Sequence, residues 1–264
     1  MPTLALADID LYYEELGAGP DLLFANGSGS SIEAARPLIE RFAEHFHVLV
    51  HDQRGLGKSA IPPGPYSMAD YAADAAALLD HLEWDRARVV GISFGGMVAQ
   101  ELAVTWPERV ECMALLCTSP GGIGGASFPL HELAGLPAEE ARVKGFQLLD
   151  SRFTPEWLDA HPRDRALAEA MAARRLGSKT PDQLRGGALQ LEARSRHDVC
   201  DRLARVTCPT LIAAGRFDAI APPTNAEAIA ARIPGADLRF YEGGHAFLAQ
   251  DRTATPDVLG FLNA

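Results

Sequence analysis

The chain has 264 residues, 47% of them apolar, which is enough for a sizeable core and argues against disorder. Its net charge is −11 and it contains no basic block, which argues against nucleic acid or an anionic membrane surface as a partner. No apolar run approaches the roughly 18 residues of a membrane helix. The start, Met1-Pro2-Thr3-Leu4-Ala5, has no secretory pattern, and the four cysteines have neither disulfide nor zinc spacing. A reducing cytoplasm is the expected setting, with Cys112 and Cys117 as core thiols.

Residues 3–16 read as two short strands around Asp8, an opening hairpin. Leu22–Ala25 is an apolar strand, and Asn26–Ser31 is a glycine-serine loop. Helical spacing runs from Ile32 to His45, followed by a strand from His47 to Val50. Three prolines mark Ala60–Tyr66 as a loop, and Met68–Leu82 is a second helix. Arg88–Ile92 is a strand, Gly96–Trp106 a helix and Val110–Cys117 a strand. Strands alternating with helices of this length call for parallel pairing and right-handed crossovers.

That rhythm breaks at Pro120-Gly121-Gly122. Up to about Arg196 only helical patterns occur, around Leu136–Asp150, Pro155–Leu158, Arg163–Leu176 and Pro181–Arg194. Residues 121–196 hold 11 Lys/Arg against 10 Asp/Glu, net +1; with −11 for the whole chain, the remainder carries −12. An all-helical block inside an α/β chain is expected to be a lid over the crevice at the sheet edge, the alternative being a helical layer packed on the side. The α/β pattern resumes with a strand at Pro209–Ala214, a helix at Pro222–Ile233, a strand at Asp237–Tyr241 and a helix at Pro256–Leu262. The expected fold is α/β, a mostly parallel eight-stranded sheet flanked by helices. Its core is 1–120 plus 197–264 and its helical lid is 121–196.

The chemistry centres on Gly91-Ile92-Ser93-Phe94-Gly95, between a strand and a helix. Glycines two before and two after the apex relieve crowding where a strand turns sharply into a helix. The apex serine is then exposed in a strained conformation, facing unpaired helix N–H groups. A serine hydroxyl needs a base to take its proton, and a carboxylate to orient that base. Asp218 and His245 each follow a strand, as Ser93 does, in the order Ser, Asp, His. Asp251 is an alternative acid. An oxyanion formed at Ser93 needs two donors. The expected pair is the N–H of Phe94 and the N–H of Ser28, in the loop with Asn26 and Gly27. His45, His47 and His51 are evenly spaced, but no metal or other cofactor is expected. Phe146, Phe153, Trp157 and Met171 are the bulky lid residues. These four either form the lid's own core, the favoured reading, or line the crevice; Phe146 and Trp157, with Asn26 and Gly27, are the candidate substrate contacts, and the Arg174-Arg175 pair is read as a solvated helix face, with a substrate carboxylate as the alternative.

These pieces resemble the α/β-hydrolase superfamily over essentially the whole chain. The matching stretches are Gly91-x-Ser93-x-Gly95, Asp52-x-Arg54-Gly55-x-Gly57-x-Ser59, Gly215-Arg216-x-Asp218 and Gly243-Gly244-His245. The resemblance implies Ser93 as nucleophile, His245 as base and Asp218 as orienting acid, with Asp52 and Arg54 fixing a turn. Asn26-Gly27 stands where many members have His-Gly, which is similar to the 3-oxoadipate enol-lactonase branch. A serine at the apex is unlike the carboxylate nucleophile of haloalkane dehalogenases and epoxide hydrolases. The implied activity is hydrolysis of a small ester or lactone. C–C hydrolysis of a keto acid, or a small-molecule receptor on the same fold, are the alternatives.

Overall fold

In the computed structural model, which describes residues 2–175 and 180–264, eight strands form one sheet. They are β1 (Thr3–Ala5), β2 (Asp10–Leu16), β3 (Asp21–Ala25), β4 (His47–His51), β5 (Ala87–Ile92), β6 (Val110–Leu116), β7 (Thr210–Gly215) and β8 (Asp237–Tyr241). Their order across the sheet is β1-β2-β4-β3-β5-β6-β7-β8. β2 pairs antiparallel with both β1 and β4, while every pair from β4 to β8 is parallel.

The central strands read as continuous apolar runs because both their faces are covered. Leu23, Leu49, Val89, Met113 and Ile212 pack on one face with Leu78 and Leu79 of α2 (Met68–His81), Leu102 of α3 (Phe94–Thr105) and Ile229 of α8 (Pro223–Ala230). Leu22, Phe24, Val48, Val50, Val90 and Leu211 pack on the other, with Ile39 and Phe42 of α1 (Ile32–Ala43) and Val258 and Leu262 of α10 (Ala254–Asn263). Each such side chain contributes about 1.5–3 kcal/mol on leaving water.

Strand order sets the place of the site. From β3 the chain moves toward β4 on one side, and from β5 toward β6 on the other. The loops after these two neighbours part in opposite directions, which opens a crevice at their carboxyl ends. Asn26–Ser31 follows β3 and Ser93 follows β5.

Between β6 and β7 lies the helical block: α4 (Ala138–Leu149), α5 (Pro155–Ala160), α6 (Pro162–Arg175) and α7 (Pro181–Ser195). Leu176, the expected end of α6, lies outside the described residues, as do the side chains of Arg174 and Arg175. The chain enters and leaves the block at one point, where Gly121 and Asp198 form an isolated antiparallel bridge. The block has its own cluster of Phe146, Leu149, Phe153 and Leu158, which reaches Ile220 beside β7. A four-residue helix, α9 (Phe247–Gln250), follows β8. No helix among the described residues is long and apolar enough to cross a membrane.

Candidate active site

Ser93 sits at φ 55°, ψ −112°, a conformation that L residues other than glycine rarely adopt. The strain persists because both sides are pinned. Its N–H donates to Leu116 O at 2.8 Å, and its carbonyl accepts from Gly96 N at 2.9 Å and from Thr118 Oγ1 at 2.7 Å. The flanking glycines are needed here for space. A Cβ on Gly91 would lie 2.4 Å from Gly95 O, and one on Gly95 would lie 2.0 Å from Ala25 O. α3 therefore begins at Phe94, two residues before the expected Gly96.

The structure brings Asp218 and His245 to Ser93. A Cβ on Gly215, at the end of β7, would lie 2.1 Å from Gly244 O, so the two loops touch through backbone alone. The Asp218 side chain is fully buried. Its Oδ1 accepts from the N–H groups of Ile220 (2.8 Å) and Ala221 (2.9 Å), and its Oδ2 from His245 Nδ1 (2.7 Å). The carboxylate can only accept, so Nδ1 carries the proton and Nε2 is left as an acceptor. Nε2 lies 3.0 Å from Ser93 Oγ. Asp251, the alternative acid, is occupied by Glu242 N and by Thr253 N and Oγ1 on the surface.

The loop after β3 lies against the serine: a Cβ on Gly27 would stand 3.7 Å from Ser93 Cβ. The amide N–H groups of Phe94 and Ser28 meet no acceptor among the described residues. Phe94 is held by its ring, fully buried and edge-on to Tyr71 at 4.8 Å. Buried Asn26 Nδ2 and Ser28 Oγ have no hydrogen-bond partner either.

Asp52 and Arg54 act as scaffold. Asp52 accepts from Ile32 N at 2.7 Å and Lys58 N at 2.8 Å, tying the start of α1 to the turn after β4. Arg54 forms a two-pronged pair with buried Asp74 at 2.6 and 2.8 Å. Burial opposes its charge, but Asp74 outweighs that and raises the Arg54 pKa.

Phe146 and Trp157 are packed into the helical block. Phe146 is buried under Arg142, whereas Trp157 stacks on His161 at 3.9 Å and donates from Nε1 to Asp164 at 2.8 Å. None of these contacts is with Ser93 or His245; they are contacts of packing, because a small helical block needs its large rings to hold itself together. Phe153 is likewise buried in that cluster, with Met171 at its margin.

Among the described residues, Cys117, Asp218 and His245 are the group whose ligand atoms lie close enough to hold an ion. Burial, and then the nearby Asp218, push the Cys117 thiol well above its ordinary pKa, so it is a neutral thiol. Asp218 and His245 are engaged with each other. His45, His47 and His51 form no such group; His47 instead contacts Asp21 and Glu15, each at 3.1 Å.

Four residues that sequence reasoning passed over also reach the site: Gln53, Asp150, Gln190 and Gln250. Gln190 and Gln53 hold the loop after β3, while Asp150 and Gln250 hold the histidine loop.

The alpha/beta hydrolase fold family model matches residues 20–251, and the chain belongs to that family. It is 32% identical to the provisionally named carbamate hydrolase RutD of Azorhizobium caulinodans, over 98% of this chain and 95% of that protein. It is 29% identical to 3-oxoadipate enol-lactonase 2 of Acinetobacter baylyi, over 92% of this chain and 89% of that one. A solved hydrolase from Pseudomonas aeruginosa PA01 matches with a TM-score of 0.79 at 32% identity, covering 100% of this chain and 98% of that one.

Proposed function

We propose that the protein is a serine hydrolase that cleaves a small carboxylic ester or lactone through an acyl-enzyme on Ser93. The observation that carries this reading is the hydrogen-bonded line from Asp218 through His245 to Ser93, ending beside the open amide of Phe94. As Ser93 Oγ attacks the carbonyl carbon, His245 Nε2 takes its proton. The carbonyl oxygen becomes an oxyanion, held by the N–H groups of Phe94 and Ser28. When the C–O bond breaks, the imidazolium gives its proton to the leaving oxygen. For a lactone that oxygen stays on the acyl chain. His245 then draws a proton from water, whose oxygen attacks the acyl carbon; the bond to Ser93 Oγ breaks, the imidazolium returns its proton to Oγ, and the carboxylic acid leaves.

Likeness to an enol-lactonase, and to a protein provisionally named a carbamate hydrolase, supports carbonyl chemistry of this kind. The helical block over the crevice, residues 121–196, is read as the lid that selects the substrate. A cytoplasmic setting remains part of this reading.

Burst kinetics with p-nitrophenyl acetate and butyrate test it, with mass spectrometry of the Ser93 peptide and a lactone panel to follow. The expected result is a burst, an acyl adduct on Ser93 and steady turnover, all abolished in Ser93→Ala. Undiminished turnover in Ser93→Ala would overturn it. Ser93→Ala/His245→Ala should be no slower than either single variant, because the residues act as one unit.

A further inference from the structure

We infer that Gln190 of α7 is a positioning residue that sets the loop carrying the second oxyanion donor, so that the helical block completes the site as well as covering it. The inference rests on the acyl-serine reading above.

α7 reaches the loop through a close backbone contact. A Cβ on Gly186 would lie 2.0 Å from Gly55 O, so the helix rests directly on the turn after β4. Gln190 is one helical turn further along, on the same face. It is fully buried, and its two polar ends are both used. Gly29 N donates to Gln190 Oε1 at 2.7 Å, and Gln190 Nε2 donates to Gln53 Oε1 at 2.7 Å. Gln53 Nε2 in turn donates to Asn26 O at 3.0 Å.

The order of donors and acceptors is self-consistent. Gly29 N and Asn26 O have fixed chemistry, and between them each amide has one orientation that satisfies all three bonds. The relay grips the loop at Asn26 and Gly29, the residues on either side of Gly27 and Ser28. A further bond within the loop, Ser30 N to Gly27 O at 3.2 Å, closes the turn. The loop has no regular element of its own, so these bonds fix where the Ser28 N–H points. Neither glutamine touches the reacting atoms. Their effect is on the distance between a donor and an oxyanion, where small displacements are costly.

The test compares wild type with Gln190→Met, Gln53→Met and the double variant, since methionine keeps the volume of glutamine and removes its hydrogen bonds. Two readouts are used: the rate at which a fluorophosphonate labels Ser93, and kcat and KM for p-nitrophenyl butyrate. Gln190→Met should slow labelling and kcat by about tenfold, a part of the ~100-fold or more that loss of an oxyanion donor costs. KM should stay within about twofold, because substrate binding before attack does not use the oxyanion donors. The double variant should be about as slow as Gln190→Met, because both side chains belong to one relay. Labelling within about twofold of wild type, a rise in KM with kcat unchanged, or additive losses in the double variant would overturn the proposal. If Gln190→Met does not fold, Gln53→Met decides: slower labelling supports the relay and an unchanged rate overturns it. Failure of the wild type itself to be labelled at Ser93 would overturn the acyl-serine reading and this proposal with it.

Discussion

The amide N–H of His245 donates to the carbonyl oxygen of Leu149 at 2.6 Å, which ties the loop bearing the imidazole to the last residue of α4. A second connection runs beside it. Gly244 N donates to Gln250 Oε1 at 2.9 Å, and Gln250 Nε2 donates to Asp150 Oδ2 at 2.8 Å. Asp150 is fully buried and is neutralised by Arg152, whose Nε and Nη2 lie 2.9 and 2.7 Å from it. A Cβ on Gly244 would stand 1.9 Å from Leu149 O, so the contact admits only glycine.

The prediction concerns Gln250→Leu, which removes both bonds of the second connection and leaves Gly244 N–H without its acceptor. His245 should then sample positions away from Ser93. The fall in kcat should be on the order of tenfold to a hundredfold, as for a catalytic group misplaced by about 1 Å. KM should change little, and Tm should drop by about 2–4 °C, corresponding to about 1 kcal/mol in a chain of this size. Steady-state kinetics and a thermal melt check it. A kcat equal to wild type would mean that the Leu149 bond alone holds the histidine.

The strained serine gives a prediction opposite in sign. Ser93 is held at φ 55°, ψ −112° by bonds to its own backbone, so truncating its side chain to alanine leaves the strain in place. Glycine adopts such angles freely. Ser93→Gly should therefore be more stable than Ser93→Ala by about 1 kcal/mol, within the 1–3 kcal/mol that such conformations cost. Both variants should lack turnover. Urea titrations of the two variants measure the difference, and equal midpoints would show that the turn stores no strain at this residue.

Short continuous apolar runs made the central strands legible, helical spacing marked the helices between them, and the glycines around Ser93 marked the turn. Asp218 and His245 could be read because chemistry demands those residue types, and strand ends gave their places. The four supporting side chains had no comparable signal. Gln190 meets Gly29 across 161 residues and Gln250 meets Asp150 across 100, and in each case one partner is a backbone group or a single polar residue in a helical stretch. α9 was not legible because four residues are too few to display a helical period. Residue size identified Phe146 and Trp157 as important to the helical block, but size does not say which way a ring faces. Packing decides that, and both rings lie in a cluster that joins the block to Ile220 beside β7.

Two buried histidines should make the fold sensitive to mild acid. His51 is 1% exposed and His197 5% exposed, and burial lowers each from 6.5 to about 4. Above pH 6.5 both are neutral whether the chain is folded or unfolded, so they have no effect there. Between pH 6.5 and 4 the unfolded chain binds a proton at each and the folded chain does not, so stability falls as pH falls. The loss is complete below about pH 4, at about 3 kcal/mol for each histidine. By pH 5 each should already have removed about 2 kcal/mol, before most carboxylates begin to titrate. Urea unfolding at pH 7 and pH 5 measures this directly. The wild type should lose stability over that interval, and His51→Gln/His197→Gln should lose about 4 kcal/mol less over the same interval, whatever its stability at pH 7. An identical pH dependence in wild type and the double variant would assign the acid sensitivity to other groups.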